Sequence, residues 1–244
     1  HLFPMNRPQP PKKPCLLYVI NVDWYFMLHW LDRAYAAKKL GFDVHLATRF
    51  TREQTRHKLQ SLGFTLYDVA FSRSNLNPLR ELSCLRGLRR IFRIAAPTLV
   101  HNVTIKPVVL GGLLCRLEKI PSVLSLPGLG SLYTSHKLLD RALRWFVEQL
   151  LRLPLMATRS ITLLENQHDR TILVERRVLS ENSARVIAGA GVDLNRFLYI
   201  RESEKPPLKI LFAARLIASK GLESLVEAVG ALSAKGLDLQ LHVA

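Results

Sequence analysis

Three kinds of feature are scarce or missing in this chain. Its 244 residues include only three cysteines, Cys15, Cys84 and Cys115, which are scattered and form no CxxC or Cys/His pairing. We therefore expect reduced thiols in a cytosolic chain and no metal site. No apolar run approaches the roughly 18 residues of a membrane-spanning helix. A GxGxxG dinucleotide loop, a GxxxxGKS or GxxxxGKT phosphate loop and a GxSxG nucleophile elbow are also missing, which argues against the enzyme classes that they mark.

Acidic residues are in short supply as well. The chain has 19 Asp and Glu against 35 Lys and Arg, a formal charge of +16. From Leu208 onward four basic residues face three acidic ones, so +15 of that charge falls on the first 207 residues. Such an imbalance favours an anionic partner, which at this point is an acidic lipid, a nucleic acid or a phosphorylated substrate. The 48% of apolar and 22% of charged residues are typical of a globular protein.

Short apolar runs alternate with amphipathic segments along most of the chain. The runs predict strands at residues 15–20, 43–48, 64–69, 98–101, 122–126, 161–165 and 185–189. The segments between them predict helices at residues 23–40, 51–62, 77–95, 105–117, 135–153 and 166–178. Asp23, and Thr51 together with Gln54, are interpreted as helix caps. The alternation predicts a parallel, doubly wound α/β domain.

Four segments follow from this pattern. Residues 1–14 are a Pro-rich leader that we expect to be disordered, residues 15–199 a Rossmann-like domain, and residues 200–207 a polar linker. Residues 208–244 hold a strand, a helix and a strand, the start of a second Rossmann-like domain. Three elements are too few to complete such a domain. We therefore expect the chain to be part of a longer two-domain protein and to have little turnover alone.

The stretch at the start of that second domain is the most informative in the chain. An apolar run predicts a buried strand, which is followed by a turn holding Arg215 and Lys220 and then by a helix with Ser219 as its predicted N-cap. Gly221, in the first turn, lets a ligand approach the backbone. A helix start attracts phosphate, and two cations beside it suit a diphosphate. The alternative is an ordinary turn with two solvated cations.

The sequence FAARLIASKGLESLVEA (212–228) resembles the strand and helix that open the nucleotide-sugar domain of family-4 retaining glycosyltransferases, which have the GT-B fold. Other segments resemble that family in the same order: VINVDWYFMLHWLDRAYAAKKLGFDVHLATR (19–49), FSRSNLNPL (71–79), TLVHNVTIKPVVLGG (98–112), LPGLGSLY (126–133), LLENQHDR (163–170) and GAGVDLNRF (189–197). The first of these is similar to a branch that extends polyprenyl-diphosphate-linked glycans. That branch commonly has a His-Arg pair where this chain has His29 and Trp30.

The resemblance implies a set of site residues. Arg215 and Lys220, with Gly221, would bind the donor diphosphate, and the two cations would act in catalysis together with His101. On the acceptor side it implies His29, Lys106, Gly128, Gly130 and Asn166. A His at a strand end can hydrogen-bond sugar hydroxyls, and a helix start suits an anion. Simple helix capping is the alternative for the start of the helix at Thr104 and Lys106, and for Asn166 with Glu165.

Two predicted helices carry much of the basic excess beside apolar stripes, a pattern typical of membrane surfaces. The residues expected to face the membrane are Arg86, Arg89, Arg90, Arg93, Lys137, Arg141, Arg144 and Trp145. The alternative is that both are ordinary surface helices with stripes that face the core.

The resemblance therefore implies an enzyme, a retaining hexosyltransferase. It would move a hexose or N-acetylhexosamine from a nucleotide diphosphate sugar, expected to be UDP-linked, to a lipid-linked saccharide. Its place would be the inner face of the cytoplasmic membrane, as a peripheral protein, and it would need no cofactor and no metal. Two alternatives stay open: a non-catalytic, membrane-associated fragment of such an enzyme, and a basic nucleic-acid-binding protein. Against the second, the chain has no recognisable nucleic-acid motif, and we expect no nucleic-acid partner.

Overall fold

The computed structural model describes residues 13–71, 77–130, 133, 138–189, 191–201 and 206–244. Nearly all of the predicted leader lies outside these residues. The chain divides into two compact units, the first ending at Gly191 and the second beginning at Val192.

The first unit is built on seven parallel strands. They are β1 (Cys15–Ile20), β2 (Asp43–Thr48), β3 (Thr65–Asp68), β4 (Leu99–Val103), β5 (Ser122–Leu126), β6 (Ser160–Leu164) and β7 (Ala184–Val186). Their order in the sheet is β3-β2-β1-β4-β5-β6-β7, so the connections run first to one side of β1 and then to the other. All six residues of β1 are buried because β2 and β4 flank it and helices cover both faces. The predicted parallel, doubly wound sheet is confirmed.

Seven helices of the first unit lie among the described residues. They are α1 (Asp23–His29), α2 (Leu31–Lys39), α3 (Glu53–Ser61), α4 (Pro78–Ala95), α5 (Ile105–Leu117), α6 (Leu138–Leu155) and α7 (Gln167–Glu175). Three apolar cores join them to the sheet. Phe26 and Leu59 lie in the core under α1–α3, Leu88 in the core under α4, and Leu151 in the core under α6.

The start of the predicted helix at 23–40 differs from expectation. The helix breaks at Trp30 into α1 and α2, and Asp23 is its first residue rather than its cap. The fully buried Asp23 carboxylate instead accepts hydrogen bonds from the Thr51 amide (3.0 Å) and the Thr51 hydroxyl (2.7 Å). Because a charged acceptor takes the hydroxyl of Thr51, the predicted capping box with Gln54 is wrong, and α3 begins after Arg52.

Two adjacent glycines inside α5 let that helix pack closely. A Cβ atom at Gly111 would overlap the side-chain oxygen of Asn102 in β4, and one at Gly112 would lie 2.6 Å from Cβ of Pro154 in α6. Glycine lowers helix stability, yet here it permits contacts that no larger residue allows. This packing explains why the predicted helix forms despite both glycines.

The second unit is a parallel βαβ element. It contains β8 (Leu208–Phe212), α8 (Leu222–Ser233) and β9 (Leu239–Val243), with Leu208 opposite Leu239 and Phe212 opposite Val243. This is the predicted beginning of a second Rossmann-like fold. The prediction that its first strand is buried is wrong: Leu211 is 66% exposed. One neighbouring strand and one helix cannot cover both faces of β8.

Candidate functional site

A small cavity lies at the carboxyl edge of the first unit's sheet. In parallel sheets this edge is where ligands bind, because the strand ends and the following loops meet there. The cavity has a volume of about 160 Å³, below the roughly 300–1,000 Å³ of typical ligand pockets. It therefore has room for part of a ligand, such as one polar group. Its polar lining comes from Tyr18, Trp30, Arg33, His101, Ser125 and Glu165.

His101 forms the floor of this cavity. The sequence predicted that His101 ends its strand. Strand β4 instead continues to Val103, so His101 lies inside the strand. Its Nε2 hydrogen-bonds Ser125 Oγ at 2.8 Å, and its ring stacks on Tyr18 at a centroid distance of 5.0 Å. Burial, assisted by the charge of Arg33, lowers the pKa of His101 to about 3. The imidazole is therefore neutral near pH 7.

Arg33 is the residue of this cavity that sequence reasoning missed. Its guanidinium lies 4.5 Å from the Trp30 ring and donates a hydrogen bond to the Gly189 carbonyl at 3.0 Å. Arg33 supplies a cation one helical turn after Trp30. That spacing of three residues, which places both on one side of a helix, was the signal available in the sequence.

Glu165 completes the charge pattern of the cavity. It follows β6 and is half-buried at the cavity wall. Burial first, and then the charge of Glu165, raise the pKa of Tyr25. The cavity thus combines a guanidinium, a carboxylate and a neutral imidazole. These are the side-chain types that hydrogen-bond sugar hydroxyls, with both donors and acceptors present.

The predicted acceptor-side residues do not line this cavity. His29 ends α1 and packs against Tyr25, with ring centroids 4.6 Å apart. Lys106 forms an ion pair with Glu81 of α4 at 2.7 Å, so its charge is already balanced. Thr104 occupies the N-cap position of α5 but makes no capping bond there.

The loop and helix start at the same edge have simpler roles. Gly128 and Gly130 are exposed after β5, and Gly130 has a φ of 71°, which favours glycine. Asn166 caps α7, its side-chain oxygen accepting a hydrogen bond from the Asp169 amide at 2.7 Å. The capping alternative for Asn166 is therefore what the structure shows.

In the second unit, the turn after β8 carries Arg215, Lys220 and Gly221. Both cations are exposed, and neither forms an ion pair with any residue in the described part of the chain. A single 3₁₀ turn, Ala218–Lys220, precedes α8, and Gly221 rather than Ser219 is the N-cap. Gly221 has a φ of 77° and no atom within 4 Å of the position a Cβ would take, so the helix start is open to a ligand.

The basic face predicted on α4 is exposed. Arg86, Arg89, Arg90 and Arg93 all reach solvent, and Arg89 pairs with Glu118 at 3.3 Å. The helix begins as predicted, with Asn77 as its N-cap and Pro78 at its first position. The same helix exposes the apolar side chain of Leu79.

Helix α6 presents an apolar stripe outward. Trp145 is 63% exposed, and Leu138, Leu139, Phe146 and Leu153 are exposed beside it. Arg141 is exposed, whereas Arg144 is half-buried and its guanidinium lies over the Tyr133 ring at 5.8 Å. Lys137 lies outside the described residues. The stripe is the kind of surface that enters a bilayer interface.

None of the described helices is both long and apolar enough to cross a membrane. Within the same part of the chain, no group of three or more His, Cys, Asp or Glu is placed to hold a metal ion.

Comparison with known proteins identifies the family to which this chain belongs. Residues 15–164 match the family described as glycosyl transferase 4-like, which is more than half of the chain. The chain belongs to this family. It matches none of the curated proteins with which it was compared.

Several solved structures share its fold. Sucrose-phosphate synthase from Thermosynechococcus elongatus aligns with a TM-score of 0.65 at 14% identity, over 95% of this chain and 62% of its own. A glycosyltransferase from Rickettsia africae gives a TM-score of 0.60 at 15% identity, over 95% of this chain and 60% of its own. UDP-GlcNAc 2-epimerase from Methanocaldococcus jannaschii gives a TM-score of 0.54 at 14% identity, over 95% of this chain and 65% of its own.

These likenesses establish a GT-B type fold, with a parallel-sheet α/β domain followed by the first βαβ part of a second one. The chain spans about 60 to 65% of the length of these three proteins. At such low identity the likeness shows the fold and not the reaction, since both transferases and an epimerase share it.

Proposed function

We propose that this chain serves a retaining glycosyltransferase that moves a hexose or N-acetylhexosamine from a UDP-sugar to a polyprenyl-diphosphate-linked saccharide. The observation that carries the proposal is the turn of Arg215, Lys220 and Gly221. It joins two exposed cations, unpaired among the described residues, to an open helix start in a chain of the glycosyl transferase 4-like family. Retention, the donor type and the lipid-linked acceptor come from the resemblance described above.

The turn suits the leaving diphosphate of such a donor. The open N–H groups of the first turn of α8, with its positive dipole end, attract phosphate oxygens. Arg215 offers a planar, bidentate fork, and Lys220 a mobile point charge. Both neutralise charge that grows as the bond from sugar to phosphate breaks, so they stabilise the transition state more than the bound donor. Two protein cations supply this charge without a metal or another cofactor.

The cavity of the first unit suits a polar group of the acceptor. Neutral His101 orients a hydroxyl by hydrogen bonding, while Arg33 holds an oxygen acceptor and Glu165 a hydroxyl donor. His101 thus acts in positioning rather than as a charged acid near pH 7. Replacing Arg33 by Ala should raise the acceptor KM about tenfold or more with a smaller effect on donor KM, since charge-assisted bonds contribute about 1.5–3 kcal/mol.

Peripheral attachment to the inner face of the cytoplasmic membrane is part of the proposal. The exposed arginines of α4 and the outward apolar stripe of α6 support it. Charge reversal at Arg86, Arg89, Arg90 and Arg93 should reduce co-sedimentation with anionic vesicles and remove most of its salt dependence. Unchanged co-sedimentation would mean that this face is merely solvated. Polynucleotide should not compete with the vesicles.

The proposal is tested by following a labelled sugar. Because this chain is expected to have little turnover alone, the longer two-domain protein expected to contain it is incubated with radiolabelled UDP-sugars and a bacterial lipid extract, and label is counted in the organic phase. Transfer predicts label in lipid that depends on the extract and retains the anomeric configuration of the donor. Label that stays on UDP with altered stereochemistry would instead indicate epimerisation. Label that stays in the aqueous phase with every donor would contradict the proposal.

A further inference from the structure

A second and larger concavity lies between the edge strand β3 and helix α4, beside the carboxyl ends of β2 and β3. Its volume is about 980 Å³, at the upper end of what ligand pockets reach. Among the described residues, none lines both this groove and the cavity of His101. The floor is apolar and includes Val69, Phe71 and Ile91. This groove therefore has room for both a charged group and a length of hydrocarbon.

Three arginines line the groove: Arg49, Arg80 and Arg90. None of them forms an ion pair with another described residue, and Nε of Arg49 is enclosed without a hydrogen-bond partner. Asp68 is the one acidic residue among the described lining residues, so the groove keeps a net positive charge. The enclosed Nε of Arg49 is unfavourable until an anion satisfies it, whereas Arg80 and Arg90 are exposed and free to turn toward the same anion. Guanidinium groups match the oxygens of a phosphate well.

Gly87 of α4 lines the groove. Glycine inside a helix costs about 0.5–1 kcal/mol relative to alanine, so this residue is not there for helix stability. A Cβ at Gly87 would meet no atom within 4 Å, which shows that the space beside it is open. At the mouth, Ile94 is 62% exposed and offers an apolar edge.

We propose that this groove binds the phosphate headgroup of a membrane phospholipid, with the glycerol and the first acyl carbons on its apolar floor. Arg49, Arg80 and Arg90 hold the phosphate, and Ile94 lies among the acyl chains of the bilayer. Charge complementarity and the apolar floor together select an amphiphile over a free anion. The inference builds on the proposed membrane attachment, but it adds a specific lipid site in the groove, which shares Arg90 with the charged outer face of α4.

A soluble lipid tests the groove separately from the membrane. Dihexanoyl phosphatidic acid, kept below its micelle concentration, is titrated into the 244-residue chain by isothermal calorimetry, with inorganic phosphate as a second ligand. We expect saturable binding of the lipid and at least tenfold weaker binding of inorganic phosphate. Equal affinity for both would show a free-anion site and overturn the proposal, as would no binding of the lipid.

Two matched pairs of variants locate the site. Arg90→Gln should weaken lipid binding at least tenfold, whereas Arg86→Gln, on the same helix outside the groove, should change it less than twofold. Gly87→Leu should block binding by filling the groove, whereas Gly87→Ala should leave it within twofold, and both should fold at least as stably as the parent chain. Equal effects of Arg90→Gln and Arg86→Gln would show that lipid binding depends on non-specific charge and not on the groove. If vesicle binding fails while the soluble lipid still binds in this pattern, only the membrane proposal falls.

Discussion

His101 gives a prediction that links the candidate site to stability. Its pKa is about 3 in the folded chain and about 6.5 when unfolded, because folding buries the ring. Below pH 6.5 the unfolded state takes up a proton that the folded state refuses, so stability falls as pH falls. The loss is about 1.4 kcal/mol for each pH unit below 6.5, or about 2 kcal/mol at pH 5. Above pH 6.5 this contribution is constant.

Urea unfolding at pH 7, 6 and 5 measures this effect through tryptophan fluorescence. All three tryptophans lie in the first unit, so the signal reports on the unit that contains His101. His101→Gln, which keeps a partner for Ser125, should lose about 2 kcal/mol less than the parent chain between pH 7 and pH 5. His57→Gln is the control, because His57 is exposed on α3. If the parent chain and His101→Gln lose the same stability, His101 is not a buried neutral group and its assigned role fails.

Three further predictions concern packing, chemistry and the membrane. Gly112→Ala should lower the free energy of unfolding by about 1–3 kcal/mol because its Cβ would press on Pro154, whereas Gly87→Ala should raise it by about 0.5–1 kcal/mol. Thermal and urea unfolding measure both changes. Equal effects of the two variants would show that Gly112 is not needed for the contact between α5 and α6. In the longer two-domain protein expected to contain this chain, Lys220→Ala should slow sugar transfer by ten- to more than a hundredfold, mainly in kcat, whereas Lys235→Ala just after α8 should not; normal transfer by Lys220→Ala would contradict the diphosphate assignment. Trp145→Ser should weaken co-sedimentation with neutral vesicles, and an unchanged bound fraction would show that the stripe of α6 faces something other than lipid.

The fold was predictable because its signals are local. Continuous apolar runs mark strands buried on both faces, and Asn77 and Asn166 cap the helices that they precede in sequence. Errors arose where a distant residue took a hydrogen bond. The hydrogen bond from Thr51 to Asp23 joins residues 28 positions apart in the sequence, and no local pattern predicts such a contact.

The candidate site was less predictable for the same reason. The sequence pointed to His101, whose role stays a prediction. Arg33 lies at the same cavity, after the helix break at Trp30, with its guanidinium over that ring. Lys106 looked like an anion ligand until Glu81, from another helix, was seen to balance its charge. Charge balance between elements depends on packing, which spacing along one element does not reveal. Whether Arg215 and Lys220 bind a diphosphate stays a prediction.

The central claim is that the turn from Arg215 to Gly221 holds a nucleotide diphosphate. Amide NMR spectra of the 244-residue chain, titrated with UDP and separately with uridine, test it most directly. We predict that UDP shifts the amides of residues 221–223 at the start of α8 and that uridine does not. Arg215→Ala or Lys220→Ala should weaken UDP binding at least tenfold, whereas Lys235→Ala should not. Shifts that are equal for UDP and uridine, or that survive in both variants, would contradict it.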